Sequence, residues 1–135
     1  MSQNHYEIEK IRQFRLQQSM DKLKLSSIKI AEGLYNEAVI LSFVSLFNSI
    51  RLLLCENGDD SDNYDKIFGL AEQYFTSTMW GSLDILEILK DARGFNENVL
   101  NGTGKIITRQ EAEKYYKNAE AVLREVQLKI NEQLT

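Results

Sequence analysis

The sequence contains no proline, and only seven of its 135 residues are glycine. Because a sheet-rich domain draws on both for its turns, their scarcity favours a few long helices. The single cysteine, Cys55, cannot form an internal disulfide, which excludes a secreted disulfide framework. No uninterrupted apolar run approaches the ~20 residues that span a bilayer, and residues 1–15 lack a signal-peptide core. These absences predict a cytoplasmic protein without a membrane segment.

The residues that are present describe one globular domain. Apolar residues make up 43% of the chain and charged residues 27%, a balance typical of folded rather than disordered proteins. The chain is long enough for one ordinary domain, which we expect to occupy residues 1–135 with 1–6 frayed. The net charge of −4 is concentrated in residues 55–104, which hold three Lys/Arg against ten Asp/Glu. An acidic protein of this kind is not a general nucleic-acid binder.

Apolar residues recur at helical spacing in five segments. The second segment is apolar nearly all the way round, so it predicts a helix buried on most sides at the centre of a bundle. The expected helices are Glu7–Ala31, Tyr35–Cys55, Asn63–Thr78, Ser82–Arg93 and Arg109–Gln133. The fold class is therefore all-α, an up-and-down antiparallel bundle of about five helices.

Local signals mark several of the helix ends. Gly33 is a plausible stop for the first helix, and Thr108 with Glu111 forms the pattern of a capping box at the start of the last. Gly94 predicts the end of the fourth helix, with Phe95–Leu100 as a continuation after a kink as the alternative.

The usual catalytic groups are scarce. His5 is the only histidine and precedes the folded body, which removes most nucleophile–base arrangements. Cys55 is predicted to be a buried helical cysteine. The alternative is a reactive thiol, because Arg51 lies one turn before it and a guanidinium lowers the pKa of a nearby thiol. No cofactor and no metal is expected, because Gly102–Lys105 is only half of a phosphate loop and the acidic cluster lacks the calcium-loop pattern. The cluster consists of Asp59, Asp60, Asp62 and Asp65.

Six basic residues lie along the first predicted helix. The set is interrupted by Glu7, Glu9 and Asp21, so a solvated face is the default interpretation and phosphate contact the alternative. Its members are Lys10, Arg12, Arg15, Lys22, Lys24 and Lys29.

Arg93 is the single charge of most interest. It ends a predicted apolar helix and is followed by the polar residues Asn96, Glu97 and Asn98. One interpretation is an arginine that bonds the last carbonyls of its helix and interacts with the helix dipole. The other is a ligand-binding group, since a guanidinium holds phosphate well.

The order of these elements resembles the HEPN family (higher eukaryotes and prokaryotes nucleotide-binding). The resemblance covers nearly the whole chain and rests on short motifs in sequence. They are the turn Ala31–Ala38 with its Gly33-Leu34-Tyr35, the pair Ser42-Phe43, Phe47, Arg51–Leu54, the break at Gly58, the aromatic helix from Tyr64 to Phe75, Arg93, and the helix opening Thr108, Glu111, Ala112. Independently of it, Gly33 frees a turn between two long helices, and small residues such as Ala38 and Ser42 let them approach closely.

The resemblance implies a helical bundle that forms a homodimer with a cleft at the dimer interface. Many HEPN proteins are metal-independent RNA-cutting toxins whose arginine holds the scissile phosphate while a following histidine moves the proton. Others lack that pair and act as binding modules or as partners of small nucleotidyltransferases. Arg93 matches the arginine, but Asn98, Val99 and Leu100 stand where the histidine would fall.

Asparagine cannot accept and return a proton near neutral pH, which favours the non-catalytic class. The expected function is thus a module of a toxin–antitoxin or defence-type pair, beside a nucleotidyltransferase-like protein. Arg93, Asn96, Glu97 and Asn98 would line the cleft and bind nucleotide or RNA. The alternative is a ribonuclease toxin that uses Arg93 without the usual histidine.

Overall fold

The computed structural model is a bundle of α-helices. The structure describes residues 5–55, 63–75, 84–100 and 106–134, and within these ranges the side chains of 5, 64, 74, 75, 96, 98–100 and 131–134 lie outside the description. The described helices are α1 (His5–Ala31), α2 (Tyr35–Leu54), α3 (Tyr64–Phe75), α4 (Ile85–Leu100) and α5 (Arg109–Leu134). The predicted all-α bundle of five helices is confirmed for these parts of the chain.

α2 is the central rod of the bundle. Fourteen of its twenty residues are buried, and it packs against each of the other four described helices. By length and composition α2 alone, among the described residues, is able to cross a membrane, but 78% of that window is buried inside the bundle. This is the arrangement of a core helix in a soluble protein.

A seam of buried serine hydroxyls joins α1 to α2. The Ser19 hydroxyl lies 2.6 Å from that of Ser49 and 2.9 Å from the Ser45 carbonyl oxygen, and the Ser45 hydroxyl donates back to the Ser19 carbonyl at 2.7 Å. Further along, the Ser26 hydroxyl donates to the Ala38 carbonyl at 2.8 Å. A serine hydroxyl reaches the backbone of the other helix only where α1 and α2 lie close together. This is the close approach predicted from small residues such as Ala38 and Ser42. Ser19 contacts Ser45 and Ser49 near the end of α2, whereas Ser26, later in α1, contacts Ala38 near the start of α2. The two helices therefore run antiparallel.

Gly33 turns the chain between these two helices. Its φ is +78°, and the Leu34 N–H donates to the Lys29 carbonyl at 2.8 Å while the Gly33 N–H donates to that of Ile30 at 3.0 Å. These two bonds define a Schellman motif, which requires a left-handed residue at this position. The predicted helix stop is confirmed.

The starts of the later helices carry side-chain caps. Thr108 and Glu111 form the predicted capping box, in which each backbone N–H donates to the other residue's side chain at 3.1 Å. The side-chain Oδ1 of Asn63 accepts from the Lys66 N–H at 3.0 Å, and the Asp84 carboxylate accepts from the Glu87 N–H at 3.1 Å. α4 therefore begins after Asp84, later than the expected start at Ser82.

The expected end of the fourth helix at Gly94 is wrong. α4 runs through Gly94 to Leu100, and Gly33 is the one described glycine with a positive φ. Gly94 is exposed, with nothing within 4 Å of an added Cβ, so it occupies an ordinary helical position. A glycine inside a helix costs stability but does not by itself end the helix.

The pair Gly33 and Gly94 tests these two conformations. We expect Gly33→Ala to destabilise the fold by about 1 kcal/mol, because alanine resists the left-handed region. Gly94→Ala should instead stabilise it by about 0.5–1 kcal/mol, because α4 is helical there. Urea unfolding at equilibrium measures both, and a destabilising Gly94→Ala would contradict a continuous α4.

The serine seam gives a second prediction. Ser19→Ala should cost about 1 kcal/mol, since one hydroxyl network is lost without added bulk. Ser19→Leu should cost about 3 kcal/mol or more, because a leucine side chain does not fit between closely spaced helices. Gln17→Leu, on the exposed side of α1, is the matched control and should change the unfolding free energy by less than about 0.5 kcal/mol. Equal effects of the alanine and leucine variants at position 19 would mean that the seam is loosely packed.

Candidate functional site

Arg93 lies inside α4, seven residues before the helix ends. The interpretation of Arg93 as a group that bonds the last carbonyls of its helix is therefore wrong. Its guanidinium instead points sideways toward α3, where it meets side chains rather than backbone. The continuation of α4 past Gly94 is what frees Arg93 for these contacts.

Two carboxylates and one aromatic ring hold the guanidinium. Nη2 donates to the Asp65 carboxylate of α3, and Nε donates to Glu97, one turn later on α4, at 3.1 Å. The centre of the guanidinium lies 4.9 Å from the centroid of the Phe68 ring. Arginine's planar head stacks on such rings while its edge stays available for hydrogen bonds. The Arg93 side chain is 27% exposed, so solvent reaches it.

The electrostatics of the cluster favour a permanently charged arginine. The hydrogen bond that Arg93 donates to Asp65 raises the pKa of Arg93 above its usual value; burial lowers this pKa, and Glu97 raises it further. Asp65 and Glu97 are themselves 81% and 56% exposed. Exposed ion pairs of this kind contribute little net free energy in water, because solvent and salt screen them.

The Arg93 cluster packs against apolar core residues of the bundle. A small recess beside Arg93 is lined by Phe43 and Phe47 of α2, by Ile67 of α3 and by Leu89 of α4. The Phe43 and Phe47 rings stack with their centroids 6.3 Å apart. The recess, of about 10 Å³, is too small for a ligand, so these residues position Arg93 rather than bind.

A second contact fixes α4 from its other side. The Asp91 carboxylate accepts from the Tyr115 hydroxyl and from Lys114 Nζ, both at 3.4 Å, and the rings of Phe95 and Tyr115 lie 4.6 Å apart. Burial, helped by Asp91, raises the pKa of Tyr115 to about 12, so the phenol stays protonated and able to donate. α4 is thus held between α3 and α5, and Arg93 has a fixed position.

Of the four predicted site residues, the structure describes the side chains of two, Arg93 and Glu97. Arg93 and Glu97 are in direct contact. The side chains of Asn96 and Asn98 lie outside the described residues. By helical register, position 96 shares the face of Arg93, whereas position 98 lies about 140° around α4 from it. The role of these two asparagines in a cleft stays a prediction.

Among the other chemical candidates of the sequence, the structure describes Cys55 and the backbone of His5. Cys55 is buried and its thiol donates to the Leu52 carbonyl at 3.1 Å. His5 begins α1, a helix that packs against α2 and α5 alone among the described helices. Asp59, Asp60 and Asp62 and the segment Gly102–Lys105 lie outside the described residues. In the described ranges no group of three His, Cys, Asp or Glu is arranged to hold a metal ion.

Part of the basic face of α1 is neutralised locally. Arg12 pairs with Glu9 at 3.0 Å, and Lys29 lies 3.6 Å from both Glu32 and Glu37. These pairs agree with the interpretation of most of this face as solvated surface rather than a phosphate-binding strip.

Sequence reasoning missed the contributions of α3 to the site. In the sequence, Asp65 belongs to the acidic cluster and position 68 falls within the aromatic helix from Tyr64 to Phe75, and neither pattern points to Arg93. The two residues are three apart, so they share one face of α3, and the Asn63 cap that starts the helix sets that register. The contact of this face with Arg93 cannot be predicted from neighbouring residues, because Asp65 and Arg93 lie on different helices.

These features define a class of protein, an α-helical bundle whose fourth helix carries a solvent-accessible arginine over an aromatic ring. The family model described as HEPN domain matches residues 13–130, most of the chain. The chain therefore belongs to the HEPN family. Comparison with curated proteins found no match. Family membership supports, in a general sense, a nucleotide- or RNA-related module.

The strength of the Arg93 cluster can be measured directly. We expect Asp65→Asn to lower the unfolding free energy by less than about 1 kcal/mol, because Asp65 is exposed. The neighbouring variant Ile67→Ala should cost about 2–5 kcal/mol, since Ile67 is fully buried. Thermal or urea unfolding of both proteins checks the contrast. A loss at Asp65 as large as that at Ile67 would show that the ion pair is structural and not exchangeable.

Proposed function

We propose that this chain is a non-catalytic HEPN-type module that binds a phosphate group of a nucleotide or RNA through Arg93. The observation that carries the proposal is the state of the guanidinium: it lies over the Phe68 ring, it is solvent-accessible, and the described residues that bond to it are two exposed carboxylates. A guanidinium has five N–H donors, and the Asp65 and Glu97 bonds use two of them. The rest are available to a ligand without any change in the helices.

Phosphate binding follows from this geometry. A phosphate takes the forked edge of an arginine through two parallel hydrogen bonds, which are stronger than bonds between neutral groups. The ligand displaces Asp65, whose ion pair is weak in water, while Phe68 keeps the guanidinium plane in place. Glu97 stays on the same helix to accept from a ribose or base, and Asn96 and Asn98 are proposed to add amide hydrogen bonds.

We propose that the site is non-catalytic because the one histidine of the sequence lies on a different helix from Arg93. His5, the only one in the sequence, begins α1, while Arg93 lies on α4, and these two helices do not pack together within the described structure. The Glu97 carboxylate is already engaged, since its Oε1 accepts from Arg93 Nε at 3.1 Å. A phosphate held at Arg93 thus lacks the proton-moving group that RNA cleavage requires.

We further propose a homodimer with Arg93 at its cleft, acting in the cytoplasm beside a nucleotidyltransferase-like protein of a toxin–antitoxin or defence-type pair. Support comes from family membership and from the accessible position of Arg93 on the surface of α4. Sedimentation at micromolar concentration tests the dimer. Co-purification of a stoichiometric nucleotidyltransferase-like protein from the native host, with crosslinking, tests the partner.

Binding of a short fluorescein-labelled single-stranded RNA, with ATP and inorganic phosphate as competitors, tests the proposal at Arg93. Arg93→Ala should weaken binding by about tenfold or more, because a charge-assisted contact is lost. Asp65→Asn should tighten binding several-fold, because a competing carboxylate is removed. Fluorescence anisotropy at one fixed salt concentration measures both.

Arg109→Ala is the matched control. Arg109 also pairs with a glutamate one turn later, Glu113 at 3.4 Å, but lies on α5 and is exposed. Its removal should leave the affinity within about twofold, as expected for a distant surface charge. Equal effects at positions 93 and 109 would reduce the binding to general electrostatics. RNA cleavage that survives extensive purification and disappears in Arg93→Ala would instead establish the ribonuclease alternative.

A further inference from the structure

A groove of about 570 Å³ runs between α1 and α5. Buried Leu23 and Leu123 form its floor, and Met20 and Ile28 stand at its edge with 45% and 42% of their surfaces exposed. α1 packs against α2 and α5 and against no other described helix. The groove therefore lies on a helix pair other than α3 and α4, which carry the Arg93 cluster.

Two cations line the groove and are not engaged in close ion pairs with other described residues. Lys24 projects into it from α1 and Arg124 from α5, and neither makes an ion pair or side-chain hydrogen bond with a described residue. The groove's one acid, Glu120, lies close enough to Tyr116 to raise the pKa of that phenol, although burial contributes more. Glu120 lies one turn before Arg124 on α5, so the described lining holds two cations and one carboxylate, a net positive charge.

The seam between α1 and α5 extends beyond this groove. A second recess, of about 160 Å³, continues toward the start of α1 and is lined by Leu16, Gln127 and Ile130. Gln127 lines both recesses, so they are neighbours along one antiparallel helix pair. From Glu9 to Ile28 the seam spans roughly 28 Å, the length of a helix of about 19 residues. A shallow channel of these dimensions suits an extended partner better than a small molecule.

We propose that the α1–α5 groove is a docking site for an acidic amphipathic helix of a partner protein. The apolar face of that helix would rest on Leu23 and Leu123 between Met20 and Ile28, and its carboxylates would pair with Lys24 and Arg124. The apolar edge disfavours a nucleic-acid backbone, which has no group to cover methionine and isoleucine. The proposal does not depend on phosphate binding at Arg93, because the two surfaces share no residue.

The test uses designed peptides with the full-length chain. The acidic probe is a labelled helical peptide of about 18 residues with leucines at i, i+3, i+4 and i+7 spacing, flanked by glutamates. A second peptide replaces each glutamate by lysine, and a third keeps the acidic composition but scrambles the leucine spacing. A labelled single-stranded RNA is the fourth probe, and fluorescence anisotropy reports binding of each.

The decisive variant is the double charge reversal Lys24→Glu with Arg124→Glu. We expect it to weaken binding of the acidic peptide by about tenfold or more and to strengthen binding of the lysine peptide. The matched control, Lys66→Glu with Lys90→Glu, reverses the same number of exposed charges on α3 and α4 and should leave both affinities unchanged. Circular dichroism and thermal unfolding show whether each variant keeps its fold.

Several results would overturn the proposal. Equal affinity for the acidic and lysine peptides, or for the scrambled peptide, would show that the groove lacks the stated specificity. An acidic peptide whose binding is insensitive to the double reversal would place the contact elsewhere. RNA binding that depends on Lys24 and Arg124 and is stronger than peptide binding would assign the groove to nucleic acid. Loss of RNA binding in Arg93→Ala leaves the peptide result unchanged, so the two proposals fail separately.

Discussion

The close approach of α1 to α2 is the constraint on which the rest of the bundle depends. Ser19, Ser26 and Ser45 place hydroxyls against the backbone of the opposite helix, and the left-handed Gly33 lets the chain reverse directly into that contact. Because these hydroxyls satisfy one another and nearby carbonyls, polar atoms are buried in the core without an unpaired cost. The narrow seam leaves the other sides of α2 free to receive α3, α4 and α5, which is why one apolar helix organises the whole fold.

The site depends on a second helix property, the continuity of α4. Had α4 ended at Gly94, Arg93 would have faced open carbonyls at the helix end, where its charge has a local structural use. Within an unbroken helix those carbonyls are already bonded, so the guanidinium turns to Asp65, Glu97 and the Phe68 ring. The Phe68 ring and two exposed carboxylates thus hold the guanidinium at a solvent-accessible position on the side of α4.

The sequence was sufficient for features that depend on neighbours along the chain. The buried α2, the stop at Gly33 and the capping box at Thr108 follow from periodicity and from local hydrogen bonds, and the structure has each of them. The prediction at Gly94 failed because a glycine signals a helix end only weakly, and the helical alternative costs about 1 kcal/mol that tertiary contacts easily exceed. The joining of Asp65 to Arg93 could not be predicted, since it depends on how α3 is placed against α4 across 28 positions of sequence.

The central rod also separates the two surfaces that carry the proposals. α3 and α4 pack on one side of α2 and bring acidic residues around a single stacked arginine, whereas α1, with more basic than acidic residues, packs on another side with α5. Since electrostatic interactions between exposed charges fade over about 8–10 Å at physiological salt, each surface presents its own charge to its own ligand. A bundle arranged around one buried helix can therefore hold an anion on one face and a carboxylate-bearing helix on the other, with neither ligand obstructing the other.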